Sequence, residues 1–381
     1  MTKDEIQAEA YGAWIDGGMI GTVILGTGLG KTRLGGNIVR DIHPVSTLVV
    51  TSRVTLINQW REEINLPNVD YMCINTAYKV AGDYDLLIVD ECHRSVSESF
   101  RSVYTNVKYK KLLCLTATLP TKNLDFLLSV APVVYTKTIE DVRGNTDVVS
   151  DYFVYNLITE MDQKTASKYR LFSNLFTDAA IHLSKVLKPG FDSIYDMAKY
   201  YARSSQKNDL VKYCKQYWSG MTMRRAVLHN NTAKIKVAHD VVHFLGPDRK
   251  WLVACSNIEY AQMLQIVLGG LIYHSKMTKA EKEIALEKFK SGEYNIMVGV
   301  KALNEGLNIP EIDSVLVVSG DSTELEAVQL LGRSIRAQHG KTAIMVNLTT
   351  IGTAEEKWVV KRSNQFKPKW INHPSQIRLP E

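Results

Sequence analysis

The tightest constraint on this chain lies near its start, in Leu25-Gly26-Thr27-Gly28-Leu29-Gly30-Lys31-Thr32, which follows the short apolar run Thr22-Val23-Ile24. An apolar run, a turn of alternating glycines and a Lys-Thr that opens a helical pattern make the strand, loop and helix that wrap nucleotide phosphates. Gly26, Gly28 and Gly30 let the backbone take dihedrals denied to other residues, so that N–H groups can close on an anion. Lys31 supplies a point charge for the terminal phosphates, and Thr32 a hydroxyl for Mg²⁺. The strict pattern has glycine where Leu25 stands, so the general motif is met in all but one place.

A chain of 381 residues exceeds what one core ordinarily supports, which predicts two domains with room for an extra element. With 45% apolar residues and mixed charge, the composition is that of a soluble globular protein. No apolar run reaches the roughly 20 residues of a membrane span, so no membrane partner is expected. The N-terminus, Met-Thr-Lys-Asp-Glu-Ile, has no hydrophobic export segment, and a cytoplasmic location and a monomer are expected. Cys73, Cys92, Cys114, Cys214 and Cys255 form no C-x-x-C pair and read as reduced thiols rather than a zinc site or a disulfide frame. The net charge of +6 is unevenly spread: residues 161–240 hold 14 Lys/Arg against 6 Asp/Glu, and the basic excess lies there.

Ahead of the loop, Ile6, Ala10, Trp14 and Ile15 mark an amphipathic helix that carries Gln7, by itself readable as a surface glutamine. Lys31 to Asp41 reads as the next helix, Thr47 to Val50 as a strand, and Val54 to Ile64, with Gln59-Trp60, as a helix. Such alternation predicts a parallel sheet with its ligand at the carboxyl ends of the strands. Leu86 to Val89 is a buried-strand run that ends in Asp90-Glu91-Cys92-His93. Adjacent carboxylates at the end of an interior strand are costly unless a cation sits there. A Mg²⁺ held by Asp90 removes that cost, and Glu91 can then orient the attacking water. Leu113-Cys114-Leu115 leads into Thr116-Ala117-Thr118 at another strand end.

In that order, Gly26–Thr32, Thr51-Ser52-Arg53, Asn75-Thr76, Asp90–His93 and Thr116–Thr118 resemble motifs I, Ia, Ib, II and III of superfamily 2 helicases. The D-E-C-H box is similar to that of the DExH branch, and the family often lacks the first glycine of motif I. The resemblance implies ATP and Mg²⁺ as cofactors, with Gln7 reading adenine. It also implies that Arg53, Asn75 and Thr76 grip a nucleic-acid backbone, and that His93, Thr116 and Thr118 couple that grip to hydrolysis.

From about 160 to 230 the alternation stops. Tyr169, Phe172, Phe176, Tyr195, Tyr200, Tyr201, Tyr213, Tyr217 and Trp218 are interleaved with Lys168, Arg170, Lys199, Arg203, Lys207, Lys212, Lys215, Arg224 and Arg225. The segment reads as a helical insertion broken near Lys188-Pro189-Gly190. Its cations, Arg224 and Arg225 among them, are candidates for phosphate contact, while most of the aromatics read as the core of a small helical subdomain.

From Lys234 a second α/β domain follows. Lys250–Cys255 reads as a strand and Ile258–Val267 as a helix. Lys279–Lys290 is a helix with Ile284, Ala285, Leu286 and Phe289 inward, and Ile296–Val298 and Val315–Val318 are strands. Asn304–Pro310, including Gly306, resembles motif V, although Val300 stands where a threonine or serine is usual. Gln329–Arg336 resembles motif VI. Spacing of three sets Arg333 and Arg336 on one helix face, which a γ-phosphate opposite would relieve of repulsion. By the same resemblance Gln329 belongs to the catalytic set, Gly306 to the nucleotide site, and Ser256 to the nucleic-acid grip.

The expected architecture is α/β: two RecA-like, doubly wound parallel-sheet domains with a helical insertion between them. Expected boundaries are 1–140 for domain 1, 141–232 for linker and insertion, 233–365 for domain 2 and 366–381 for a tail that is a strap or a mobile end. The resemblance implies a DNA helicase or translocase, similar to phage-encoded enzymes that migrate branches and remodel forks, with an RNA helicase as the alternative. A restriction or remodelling motor and an ATP-switched binding protein are the other classes.

Overall fold

The computed structural model of the chain describes residues 1–120, 123–145, 147–191, 193–300, 312–320 and 342–378. Helix α1 (Lys3–Asp16) begins in a reciprocal cap: the Thr2 hydroxyl accepts from the Glu5 N–H, and the Glu5 carboxylate accepts from the Thr2 N–H. Ile6, Ala10 and Trp14 are buried beneath it, and the Trp14 indole donates to the Leu112 carbonyl at 2.9 Å. There follow β1 (Ile20–Leu25), α2 (Lys31–Ile42), β2 (Thr47–Thr51), α3 (Val54–Glu63), β3 (Val69–Cys73), α4 (Ile74–Ala77) and β4 (Gly82–Asp90). Then come α5 (Val103–Asn106), β5 (Val107–Thr116), α6 (Leu124–Val130) and β6 (Val133–Lys137).

These six strands form one parallel sheet in the order β3-β2-β4-β5-β1-β6. Its strands are apolar runs rather than alternating ones because both faces are covered: Val49, Ile88, Leu113 and Leu115 enter one core, and Leu48, Val50, Leu87 and Leu112 the other. The strand order decides what meets. Since β5 lies between β4 and β1, with Asp90 in register with Leu115 and Ile24 with Thr116, three carboxyl ends share one edge. Neighbouring strands lie about 4.8 Å apart, so the phosphate loop, the D-E-C-H box and Thr116–Thr118 fall within two spacings.

The second sheet uses β7 (Tyr152–Thr159) and then, after helices α7 (Gln163–Ser184), α8 (Ile194–Tyr201), α9 (Asp209–His229) and α10 (Ala233–Leu245), continues with β8 (Trp251–Cys255). Next are α11 (Ile258–Leu268), β9 (Leu271–Tyr273), α12 (Lys279–Ser291), β10 (Ile296–Val300), β11 (Ser314–Val317), β12 (Ala343–Thr350), α13 (Ala354–Ser363) and β13 (Lys369–Ile371). Its order is β13-β7-β12-β11-β8-β10-β9, again parallel throughout. The chain thus has two RecA-like α/β bodies, with α7, α8 and α9 as the helical insertion.

Three expectations need correction. The stretch 141–232 is not all linker and insertion, because β7 pairs along its whole length with β12, Tyr152 opposite Ala343 and Thr159 opposite Thr350. Nor is 366–381 only a tail: β13 is the edge strand beside β7, and the Tyr155 hydroxyl donates to the Arg378 carbonyl at 2.8 Å. Ile284 points outward at 54% exposure while Ala285 and Phe289 are buried, since the apolar stripe of α12 is narrower than four residues. No described helix is long and apolar enough to cross a membrane, and all five cysteines are free and buried.

Candidate functional site

The loop after β1 turns through left-handed backbone, with φ of +87° at Gly28 and +88° at Gly30, and Gly30 is the residue that caps α2. The left-handed backbone favours glycine at Gly30, and a Cβ there would also sit 2.3 Å from the Gln7 amide nitrogen and displace that amide. Gln7 is buried, not a surface residue: its Nε2 donates to the Leu29 carbonyl at 3.3 Å, and its Oε1 accepts from Asn37 Nδ2 at 3.4 Å. It braces the loop from below. Gly26 N–H donates to the Lys137 carbonyl, tying the loop to the end of β6, and Lys31 Nζ donates to the Leu25 carbonyl at 3.3 Å. Thr27, Lys31 and Thr32 are partly exposed along the same turn.

At the end of β4 the Asp90 carboxylate is buried with one donor on each oxygen: Trp60 Nε1–H on Oδ2 at 2.9 Å and the Glu91 N–H on Oδ1 at 2.9 Å. Burial, reinforced by the Glu91 charge, pushes the Asp90 carboxyl up to about 6, while the indole hydrogen bond and Lys31 act the other way. Glu91 itself takes φ of +52°, an uncommon conformation for a side-chain-bearing residue.

His93 is nine-tenths buried on its side chain, and its Nδ1 lies 3.0 Å from Thr116 Oγ1. The Thr116 hydroxyl donates its own proton to the Thr118 carbonyl at 2.7 Å, so His93 carries its proton on Nδ1 and donates to Thr116. Burial drives the His93 pKa down to about 4. The ring is therefore neutral at pH 7, and the 3.4 Å approach of Nδ1 to Glu91 Oε2 is a contact rather than an ion pair.

Among the described residues two acceptors of this pocket have no hydrogen bond, Glu91 Oε2 and His93 Nε2, both buried. Orphaned acceptors beside a buried carboxylate fit the donor waters of a hydrated cation better than an empty interior. The residues present thus suit a Mg-nucleotide: Thr32 and Asp90 for the metal, and the Gly26–Lys31 turn for the phosphates.

The other expected residues are distributed as follows. Arg53 precedes α3 at the end of β2, and Asn75 and Thr76 lie exposed on α4 at the end of β3, so all three share the carboxyl edge of the first sheet. Ser256 follows β8, where its N–H donates to Ser319 Oγ at 3.1 Å; its own hydroxyl is buried with no partner among the described residues. Arg224 is half-buried, its guanidinium carbon 3.7 Å from the Phe176 ring centroid, a packing that partly desolvates it. Arg225 is half-exposed. Gly306, Gln329, Arg333 and Arg336 lie outside the described residues, whereas Val300 is buried at the end of β10.

Sequence reasoning missed Trp60 as a partner of Asp90. A signal was present in Gly35-Gly36, a glycine pair inside a helix, where something large must approach: a Cβ on Gly35 would lie 2.5 Å from Trp60 Cη2. It also missed the buried Lys234, whose Nζ donates to Glu355 at 2.5 Å and to the Val318 and Leu348 carbonyls, tying the ends of β11 and β12 to α13.

Comparison with known proteins agrees with this geometry. The profile of the helicase conserved C-terminal domain matches residues 233–338, and that of the type III restriction enzyme res subunit matches residues 73–121, which include Asp90–His93 and Thr116–Thr118. The DNA 3'-5' translocase XPB2 of Sulfurisphaera tokodaii is 26% identical over 93% of this chain and 84% of its own length. Nucleolar RNA helicase 2-B of Xenopus laevis is 28% identical over 49% of this chain and 24% of its own. The crystal structure of the Pyrococcus furiosus Hef helicase domain shares the fold, with a TM-score of 0.56 at 16% identity over 94% of this chain and 96% of that one. A glycine-rich loop and a carboxylate box on one sheet, a second body that matches the helicase C-terminal model, and alignment over nearly the whole chain lead to one assignment: the chain is a nucleic-acid-dependent ATPase of helicase type, similar to superfamily 2 helicases.

Proposed function

We propose that this helicase hydrolyses ATP to move on DNA, with forked or branched DNA as its substrate. The observation that carries the ATP reading is the buried trio of Asp90, Glu91 and His93 at the carboxyl edge beside the phosphate loop, with two acceptors left open. Lys31 and the Gly28 and Gly30 amides would hold the phosphates, and Gln7 keeps that turn in shape from beneath. Thr32 and Asp90 would hold Mg²⁺, which when bound neutralises phosphate charge and polarises the transferred group. Glu91 orients the attacking water, and His93 links this carboxylate to Thr116 through one hydrogen bond. Arg333 and Arg336, and with them Gln329 and Gly306, would complete the site from the second body, so that hydrolysis depends on closure. Arg53, Asn75, Thr76 and Ser256, at strand ends of the two sheets, would change their grip on the backbone as it closes.

The choice of DNA over RNA rests on extent: the relative whose name specifies DNA aligns with nearly the whole chain, the RNA helicase with about half of it. The match of residues 73–121 to a restriction-enzyme subunit favours a second reading, the motor of a larger complex.

The test is ATP turnover by the full chain without nucleic acid and with single-stranded, duplex and forked DNA and with RNA, followed by unwinding of forks of both polarities. Stimulation strongest with forked DNA is expected. Stimulation by RNA alone would remove the DNA reading, and binding without turnover would leave only an ATP-dependent switch. Translocation on duplex without strand separation would favour the motor of a complex. Lys31→Ala and Glu91→Gln should each abolish turnover, and an Arg336→Ala chain with unchanged kcat would remove the proposed finger.

A further inference from the structure

The insertion carries an open cup of about 370 Å³ lined by Phe191, Asp196, Lys199, Tyr200 and Arg203. It lies on α8 and the loops beside it and shares no lining residue with the nucleotide site. Tyr200 is 69% exposed, yet its ring is held from two sides, 5.0 Å from Tyr201 at 82° and 5.7 Å from Phe191. A large ring kept in place without being covered is unusual in a small helical unit whose other aromatics are mostly packed, Phe176 on Tyr217 and His182 on Tyr213.

Charge narrows the occupant. Lys199 and Arg203 stand four residues apart on the rim, and Lys188 lies 5.4 Å from the Tyr201 ring next door. Among the described residues the one carboxylate of the lining is Asp196, which already accepts from the Ser193 hydroxyl at 2.6 Å in the cap of α8. The cup is therefore a stacking face with an anion-attracting rim, set in the segment that holds the basic excess of the chain. Bases in a duplex cover one another's faces, so an aromatic ring can stack only on an unpaired one. The volume is that of a site for one small ligand rather than for a protein segment.

We propose that this cup takes one unpaired nucleotide of a DNA strand, its base stacked on Tyr200 and its phosphate between Lys199 and Arg203. The inference rests on the reading of the chain as a DNA motor and adds to it a place where unpaired DNA is distinguished from duplex.

The experiment uses the full chain and four probes: a DNA single strand carrying 2-aminopurine, an RNA strand of the same sequence and label, a fork with the DNA single strand as one arm, and a blunt duplex. Tyr200→Ala should weaken binding of single strand and fork about 10-fold, the loss expected for one stacked base, and remove most of the fluorescence quench, with blunt-duplex binding unchanged. Tyr200→Phe keeps the stacking face and should bind as the parent does. Lys199→Gln with Arg203→Gln should lower the slope of log K against log salt by about 1 to 2 on single strand. Because Tyr200 is largely exposed, thermal unfolding should not change. If the parent binds single strand and Tyr200→Ala binds it equally, or loses duplex to the same extent, the cup is overturned while the motor stands. Tighter, more quenched binding of the RNA strand would overturn the assignment to DNA. A parent that binds no nucleic acid and shows no stimulated turnover would overturn the motor reading itself.

Discussion

The indole N–H of Trp60, on α3, donates to Asp90 Oδ2 at 2.9 Å, so a helix that follows the second strand fixes a carboxylate at the end of the fourth. With the Glu91 N–H on the other oxygen, the carboxylate cannot rotate without losing a hydrogen bond. Trp60→Phe keeps an aromatic side chain but removes the donor, together with part of the buried indole. Partners of this kind are worth about 10- to 100-fold in metal affinity or activity. The variant should need that much more Mg²⁺ for half-maximal turnover and bind Mn²⁺ correspondingly less tightly by electron paramagnetic resonance. Unchanged metal affinity would reduce Trp60 to core filling.

Gly35 is the counterpart of that contact. An added Cβ would meet Trp60 Cη2 at 2.5 Å and Cζ3 at 2.8 Å, both atoms of a rigid, fully buried ring. Gly35→Ala should therefore cost about 1–3 kcal/mol of stability, as overpacking does, and lower Tm in a melting experiment. Turnover should fall with it, because displacement of the ring withdraws the donor from Asp90.

Asp90 should also make the nucleotide-free chain less stable as pH rises. Its carboxyl is raised from 3.8 to about 6, so the folded state holds the proton more tightly than the unfolded one. The penalty is absent below about pH 4, grows through the interval and is complete above about pH 6, amounting to roughly 3 kcal/mol. Asp90→Asn removes this titration. Unfolding in EDTA should show the stability difference between parent and Asp90→Asn moving in the variant's favour between pH 4 and 7. The change with pH is the readout, since an amide has one acceptor for the two donors that meet Asp90. A constant difference would contradict the buried-charge account.

The proposed coupling runs through Thr116, whose Oγ1 lies 3.0 Å from His93 Nδ1. Thr116→Val removes the oxygen that accepts from His93 Nδ1–H while keeping the side-chain volume. Basal ATP turnover should stay within a few-fold of the parent, and stimulation by nucleic acid should be lost; Thr116→Ser should keep both. Full stimulation of the valine variant would exclude this hydrogen bond from coupling.

In the second body, Lys234 and Glu355 form a fully buried ion pair, and Glu355 also accepts from the Thr350 N–H. Lys234→Met strands the carboxylate and should cost about 3–5 kcal/mol, whereas a paired Lys234→Met, Glu355→Leu change should recover most of it. Chemical denaturation of the three proteins checks both values.

Much of this was legible because it is local. The glycines before Lys31, the apolar run ending at Asp90 and the hydroxyls after β5 announce strand ends through neighbours in sequence, and in a parallel sheet every strand end of that kind meets one edge. Apolar periodicity likewise gave away the helices, although it misjudged Ile284, because a stripe shows spacing and not its own width. The aromatics of the insertion turned out to be mostly packed, as composition favoured.

What sequence alone determined is the alternation of strands and helices, the phosphate loop and the acidic box, since each depends on residues within a few positions of one another. Only the tertiary structure decided that Tyr152–Thr159 belongs to a sheet completed some 190 residues later. It likewise turned Gln7 under the loop, gave Trp60 to Asp90, and set the Arg224 guanidinium on the Phe176 ring. The reason is physical: strand pairing and side-chain contact are set by which surfaces are left to bury once the local elements exist, and no residue carries in its own neighbourhood the identity of a partner that the chain brings back from far away.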